Sequence, residues 1–304
     1  ARGRMSISAS GPHRKVADCL IFVKFARGTR FCPFPTVARG GIREKQTKEW
    51  IMEQRIREIA AGIRPADASW IDKARERTGQ LLMPPRALGR LHDIAERLCG
   101  MRRSLEPEVG RKAVLVMAGD HGVAADAAVS PFPQEVTGQM ILAFLAGWAG
   151  INVLARHVGA EVLVVDMGVI PDIGANIDPA TTPGANALRR VRVAPGTANL
   201  TKGSAMSREQ AVQAVLGGFD VASEVLAGGV EILGTGDMGI GNTTASAAIG
   251  ATFTGLAVEA MVGRGAGLDD AGLARKRAAV AKALEINAPN PADGLDVLAK
   301  VGGF

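Results

Sequence analysis

The chain's 304 residues, 47% of them hydrophobic, suffice for one large domain or two modest ones with a substantial core. Tyrosine is absent, aromatic residues make up 4% and glycine reaches 38 residues, a composition poorly suited to stacking on nucleic-acid bases. The formal charge of +6 is a property of the leader: residues 1–48 carry 11 Lys/Arg against Asp18 and Glu44, leaving 25 basic and 28 acidic residues in the rest, so the body is not a nucleic-acid-binding surface.

Residues 1–45 show no sustained period and read as a basic leader, an upstream extension or a disordered tail. Residues 20–23 are apolar but too short a run for a signal peptide, and Met5 and Met52 are candidate start sites. Cys19, Cys32 and Cys99 form no CxxC pair and leave an odd count. That points away from a disulfide framework or a zinc site and toward a reducing cytoplasm. Residues 46–112 read as a helical N-terminal part. Trp50, Ile51, Ile56, Ile59 and Ile63 recur at helical spacing, a second helix covers 68–80, and Pro84-Pro85 separate it from a third over 88–98.

Residues 113–304 read as an α/β nucleotide-binding domain. The continuous apolar run 113–118 predicts a parallel strand covered on both faces. It delivers Asp120 and His121 to a strand's C-terminal end, where open α/β sheets bind ligands. Asp120, His121 and Asp126 are candidate metal ligands by type, but their spacing fits no standard site; pocket lining is the better expectation. The proline-stiffened loop 130–135 leads into a helix expected to run unbroken to about His157. A second strand covers 162–165 and a short one 190–193. Strand, helix, strand makes a right-handed βαβ unit, and the fold class expected is a three-layer, mostly parallel Rossmann-like sheet with helices on both faces. The uncharged stretches 136–155 and 238–258 carry Gly, Asn, Thr or Gln and read as buried helices, not membrane spans. Ser207 is expected to cap a helix through about Ala227, with Gln210 at the capping-box position.

The stretch Gly234-Thr235-Gly236-Asp237-Met238-Gly239-Ile240-Gly241-Asn242-Thr243-Thr244 follows an apolar run, 230–233, that reads as a strand. A helix is expected to start at about Ala245. A glycine turn between them would expose several backbone N–H groups to an anion, with Thr243 and Thr244 at a cap or phosphate position. Asp237 would repel a second phosphate yet serve proton transfer or a cationic ring, so the site expected is one phosphate beside a reacting centre. Gly234-x-Gly236-x-x-Gly239, with Glu259 beyond, matches the dinucleotide fingerprint literally, but a lone match this late in the chain is weak evidence for a dehydrogenase. A further glycine turn, 262–270, precedes a basic helix; its charges read as a solvated face or, at Lys276, as the point charge for the phosphate.

Residues 236–244, Ser130-Pro131-Phe132-Pro133-Gln134-Glu135-Val136-Thr137, Val262-Gly263-Arg264-Gly265-Ala266-Gly267-Leu268-Asp269-Asp270, Leu88-Gly89-Arg90-Leu91 and Gly203-Ser204-Ala205-Met206-Ser207 run in order from about Pro84 to the end. Together they resemble the nicotinate-nucleotide–dimethylbenzimidazole phosphoribosyltransferase family. The resemblance implies a cytoplasmic homodimer that moves phosphoribose from nicotinate mononucleotide to 5,6-dimethylbenzimidazole. The products would be α-ribazole 5′-phosphate and nicotinate, in cobamide lower-ligand synthesis, with no metal or redox cofactor. It assigns Gly239, Gly241, Asn242, Thr243, Gly265 and Lys276 to the nucleotide, and Ser130 with Gln139 or Met140 to the benzimidazole. Asp237 stands beside the reacting groups, where many members carry Glu. Met83, Arg86 and Ala87 depart from the family's Lys, Gly and Ser. Members also continue past the position of Phe304 to a Gly-Glu-Gly-Ser-Gly motif whose Glu is regarded as the catalytic base. The expectation is therefore a fragment or incomplete gene product, slow by roughly 10²–10⁴-fold for want of that base unless Asp237 substitutes. The alternative is a non-catalytic nucleotide- or azole-binding protein.

Overall fold

The structure, a computed structural model, describes residues 41–178 and 180–304. The basic leader therefore lies outside the described residues up to position 40, and Cys19 and Cys32 with it. Three helices come first: α1 (Gly41–Gly62), α2 (Ala68–Gly79) and α3 (Arg90–Arg102). Asp67 caps α2 by accepting from the Ser69 amide at 3.0 Å. Helix α1 starts at Gly41, five residues before the expected 46.

The body follows as β1 (Lys112–Gly119), α4 (Val123–Asp126), α5 (Val136–Leu145), α6 (Gly150–Val158), β2 (Ala160–Gly168), β3 (Leu188–Arg190), α7 (Arg208–Ala227), β4 (Ile232–Met238), α8 (Asn242–Thr254), α9 (Val258–Met261), α10 (Asp270–Asn287) and α11 (Gly294–Val301). The four strands form one parallel sheet in the order β3-β2-β1-β4. Its two faces follow from strand periodicity. Ala113 and Leu115 of β1, with Leu163, Val165 and Met167 of β2, pack against Ala214, Val221 and Val225 of α7. Val116, Ala118 and Val164 point the other way, onto Ile141, Phe144 and Leu145 of α5. The doubly covered sheet explains why β1 and β2 read as unbroken apolar runs. A third cluster joins α8, α10 and α11 through small residues, among them Ala245, Ala248, Ala279 and Ala283.

Helix α7 starts as its sequence dictates: Ser207 accepts from the Gln210 amide and Gln210 accepts from the Ser207 amide, a complete capping box. Elsewhere the expected bounds change. The helix expected over 136–157 is two, because Gly147 takes φ +79° and Ala149 is extended. The buried Asn152 staples the break by donating to the Phe144 carbonyl at 3.0 Å. Residues 136–158 are long and apolar enough to cross a membrane by length and composition alone, but here they form this broken pair against the sheet. The short third strand begins two residues before the expected 190.

Candidate nucleotide site

Strands β1 and β4 pair side by side and end level, Ala118 opposite Met238. The turn after β4 is shorter than its sequence suggests. Gly234 and Gly236, the first two glycines of the dinucleotide-like match, are strand residues paired with β1, and Gly239-Ile240-Gly241 alone makes the turn. Close approach requires the first of these: a Cβ on Gly239 would stand 2.2 Å from the Gly119 carbonyl oxygen. Positive φ requires the last, Gly241 at +95°, which serves as N-cap of α8. The helix thus begins at Asn242, three residues earlier than expected, and Thr243 and Thr244 lie in its first turn.

The turn does not present a row of unused amides. Ile240 N–H donates to Thr137 Oγ1 at 3.1 Å, Asn242 N–H to the Gly239 carbonyl at 3.0 Å and Thr244 N–H to the Gly241 carbonyl at 2.9 Å. Thr243 N–H donates to the Asn242 side-chain oxygen at 2.7 Å. Asn242 thereby supplies the acceptor that an anion's oxygen would otherwise provide at a helix N-terminus. Its amide nitrogen donates to Asp237 Oδ2 at 2.6 Å, which holds that exposed carboxylate at the mouth of the site.

The cation comes from α10. Lys276 is 1% exposed, so it is no part of a solvated face. Its Nζ donates to Thr243 Oγ1 at 2.6 Å and to the Gly263 carbonyl at 3.3 Å. Burial alone pushes its pKa below the usual lysine value, and among the described residues no carboxylate pairs with it. Gly265, at φ +55°, covers this pair closely; a Cβ there would lie 3.2 Å from both Lys276 Nζ and Thr243 Oγ1. Asp269 caps α10 by accepting from the Gly272 amide at 2.7 Å. With Lys276 donating to its oxygen, the Thr243 hydroxyl keeps its proton for an anion.

Asp120 and His121 are buried, 2% and 7% exposed. Burial raises the Asp120 carboxyl above the usual range, opposed by the Ile170 amide, which it accepts at 2.7 Å, and by the Thr137 hydroxyl. The His121 ring is wedged between glycines: a Cβ on Gly239 would reach 3.0 Å from its Cδ2 and one on Gly303 2.3 Å from its Cε1. Burial lowers its pKa to about 4, opposed by the nearby Asp237 carboxylate. Asp126 is not gathered with these two; it pairs with Lys202 at 2.5 Å and accepts from Asn199. Among the described residues no cluster of three or more His, Cys, Asp or Glu could hold a metal ion.

On the far side of the turn, the Ser130 hydroxyl accepts from the Phe132 amide at 3.2 Å, and Gln134 Nε2 donates to the His121 carbonyl at 3.1 Å. Gln139 is exposed on α5, while Met140 is half-buried against the same core cluster as Met238. Thr137 is the residue that sequence reasoning passed over. The amide it accepts lies 103 positions away, and a threonine early in a helix carries no local sign of such a bond.

Known proteins resemble this arrangement over most of its length. A family model described as a phosphoribosyltransferase matches residues 63–304. A nicotinate-nucleotide–dimethylbenzimidazole phosphoribosyltransferase of Desulfotalea psychrophila is 52% identical over 242 residues, 80% of this chain and 66% of the relative. The protein of that name from a Roseiflexus species is 50% identical over 249 residues, 82% of this chain and 68% of the relative. The crystal structure of CobT from Thermus thermophilus superposes with a TM-score of 0.70 at 47% identity, covering 77% of this chain and 67% of that one. The chain thus spans about two thirds of the length of the relatives it matches.

Proposed function

Because the chain belongs to the nicotinate-nucleotide–dimethylbenzimidazole phosphoribosyltransferase family, we propose that it binds nicotinate mononucleotide and transfers its phosphoribose to 5,6-dimethylbenzimidazole. The observation that carries this reading is the buried Lys276 ammonium, 2.6 Å from the Thr243 hydroxyl and, among the described residues, without an acid of its own. A buried charge without a counter-ion is expensive to keep, and a substrate phosphate would supply one. One lysine, one hydroxyl and one close glycine suit a single phosphate better than a diphosphate.

The chemistry is a displacement at the anomeric carbon of the ribose with inversion. A benzimidazole ring nitrogen forms the new bond to C1′ while the pyridinium–C1′ bond breaks and its electron pair returns to the nicotinate ring. The other benzimidazole nitrogen gives up its proton to a carboxylate. We assign that role to Asp237, which is exposed at the end of β4 and accepts a hydrogen bond from Asn242. Ser130, with Gln139 or Met140, would border the incoming ring. No resident cofactor enters this scheme. A cytoplasmic homodimer is part of the same proposal.

Incubating the chain with both substrates tests it. Nicotinate should be released, and both Lys276→Met and Asp237→Ala should abolish release. Heat of nucleotide binding without release would favour the non-catalytic nucleotide- or azole-binding reading. Absence of any binding heat would sink both.

A further inference from the structure

Helix α5 is hydrogen-bonded to the glycine turn by the Thr137 side chain. Thr137, the second residue of α5, is fully buried and accepts the Ile240 N–H at 3.1 Å; Ile240 itself is 8% exposed. Two and three positions along, the same helix carries Gln139 and Met140, and the loop leading into it carries Ser130. Loop and helix are braced against independent movement. Gln134 holds the His121 carbonyl, and Gly138 abuts the loop after β2 so closely that a Cβ would lie 3.1 Å from Pro171 and 3.3 Å from Ile173. Threonine's β-branch also restricts χ1, so its hydroxyl has little freedom to follow a moving amide. Any shift of the Ile240 amide would therefore be felt at α5 through its bond to Thr137.

We propose that Thr137 is a positioning residue that couples the two substrate sites, so that occupancy of the phosphate site raises the affinity of the α5 wall for the azole. The inference rests on the phosphoribosyl-transfer reading and deepens it, giving a physical origin to cooperation between the two substrates. Valine at this position keeps the shape but can neither accept the Ile240 N–H nor donate to Asp120, whereas serine keeps both bonds.

The test uses the full 304-residue chain. Its affinity for 5,6-dimethylbenzimidazole is measured by calorimetry with and without saturating ribose 5-phosphate, which carries the sugar and phosphate but has no ring to lose. In the wild type the ribose phosphate should tighten azole binding about fivefold. The ratio should fall to one in Thr137→Val and return in Thr137→Ser, a pattern that loss of packing alone would not produce. Coupling unchanged in Thr137→Val overturns the inference. So does a wild type that binds both ligands independently, a result that stands even where the valine variant fails to fold. A wild type that binds neither ligand overturns the transfer reading itself and the inference with it.

Discussion

A lysine at 1% exposure with no carboxylate paired to it among the described residues weakens the fold, because its charged form gives up solvation for two neutral hydrogen bonds. Lys276→Met keeps the length and apolar stem of the side chain and removes the charge. It should raise stability by about 1–3 kcal/mol in urea denaturation while weakening nicotinate mononucleotide binding at least about a hundredfold. A variant both less stable and equally avid would show that the ammonium faces no ligand. His121 makes a second prediction at this scale. Its folded pKa, about 4, lies below the unfolded value near 6.5, so between those limits the unfolded chain binds a proton that the folded chain does not. Stability is then full above pH 6.5 and falls as pH drops through the window, by about 2 kcal/mol from pH 7 to pH 5. Asp237, the charged group facing the ring, acts against the shift but does not reverse it. Urea midpoints at the two pH values should differ by that much more in the wild type than in His121→Asn; equal differences would mean the ring titrates normally.

Elements whose determinants are local were legible in the sequence, and those set by distant contacts were not. The β1 and β2 runs carry their burial in their own composition, and Ser207 and Gln210 specify the start of α7 within four residues. Identical glycines do different work in β4 and in the turn, and nothing local separates them. Gly234 and Gly236 extend the strand because β1 offers ladder partners, while Gly239 must be glycine because the Gly119 carbonyl crowds it. The break between α5 and α6 was hidden for a related reason, since its apolar residues continue straight across Gly147 and Trp148. At the site, the glycines, Asn242, Thr243 and Lys276 could be named from sequence, but not what their hydrogen bonds do. The sequence pattern suggested unused amides, whereas Asn242 folds back to occupy one of them, a conformation its own residue type allows and no spacing reveals. A phosphate binding directly to the Thr243 amide would have to displace that oxygen, which would also loosen the Asn242 hold on Asp237.

Across the whole molecule several helices leave large apolar side chains in solvent, α3 among them. Helix α3 buries His92 and Glu96, at 5% and 4% exposure, and leaves Leu91 and Ile94 at 60% and 55%. Glu96 tolerates burial because Arg75 and Arg86 reach it at 3.0 and 2.8 Å, so ion pairs hold this carboxylate inside beside Cys99 while Leu91 and Ile94 stay wet. Leu88, just before the helix, extends the same apolar surface at 53% exposure. Exposed apolar side chains at this spacing suit an interface, and in the proposed homodimer two copies related by a two-fold axis would each contribute them. At micromolar concentration the chain should therefore sediment at about twice its mass of 31.6 kDa. Leu91→Glu with Ile94→Glu should shift it to the monomer, since each carboxylate would be desolvated against an apolar neighbour on both sides of the axis. Both positions are exposed within one chain, so the substitutions should change the stability of the isolated protomer by no more than about 0.5 kcal/mol. That separates loss of association from loss of fold. A wild type that sediments as a monomer would remove the dimer from the proposal, and a double variant that remains dimeric would move the interface to another face.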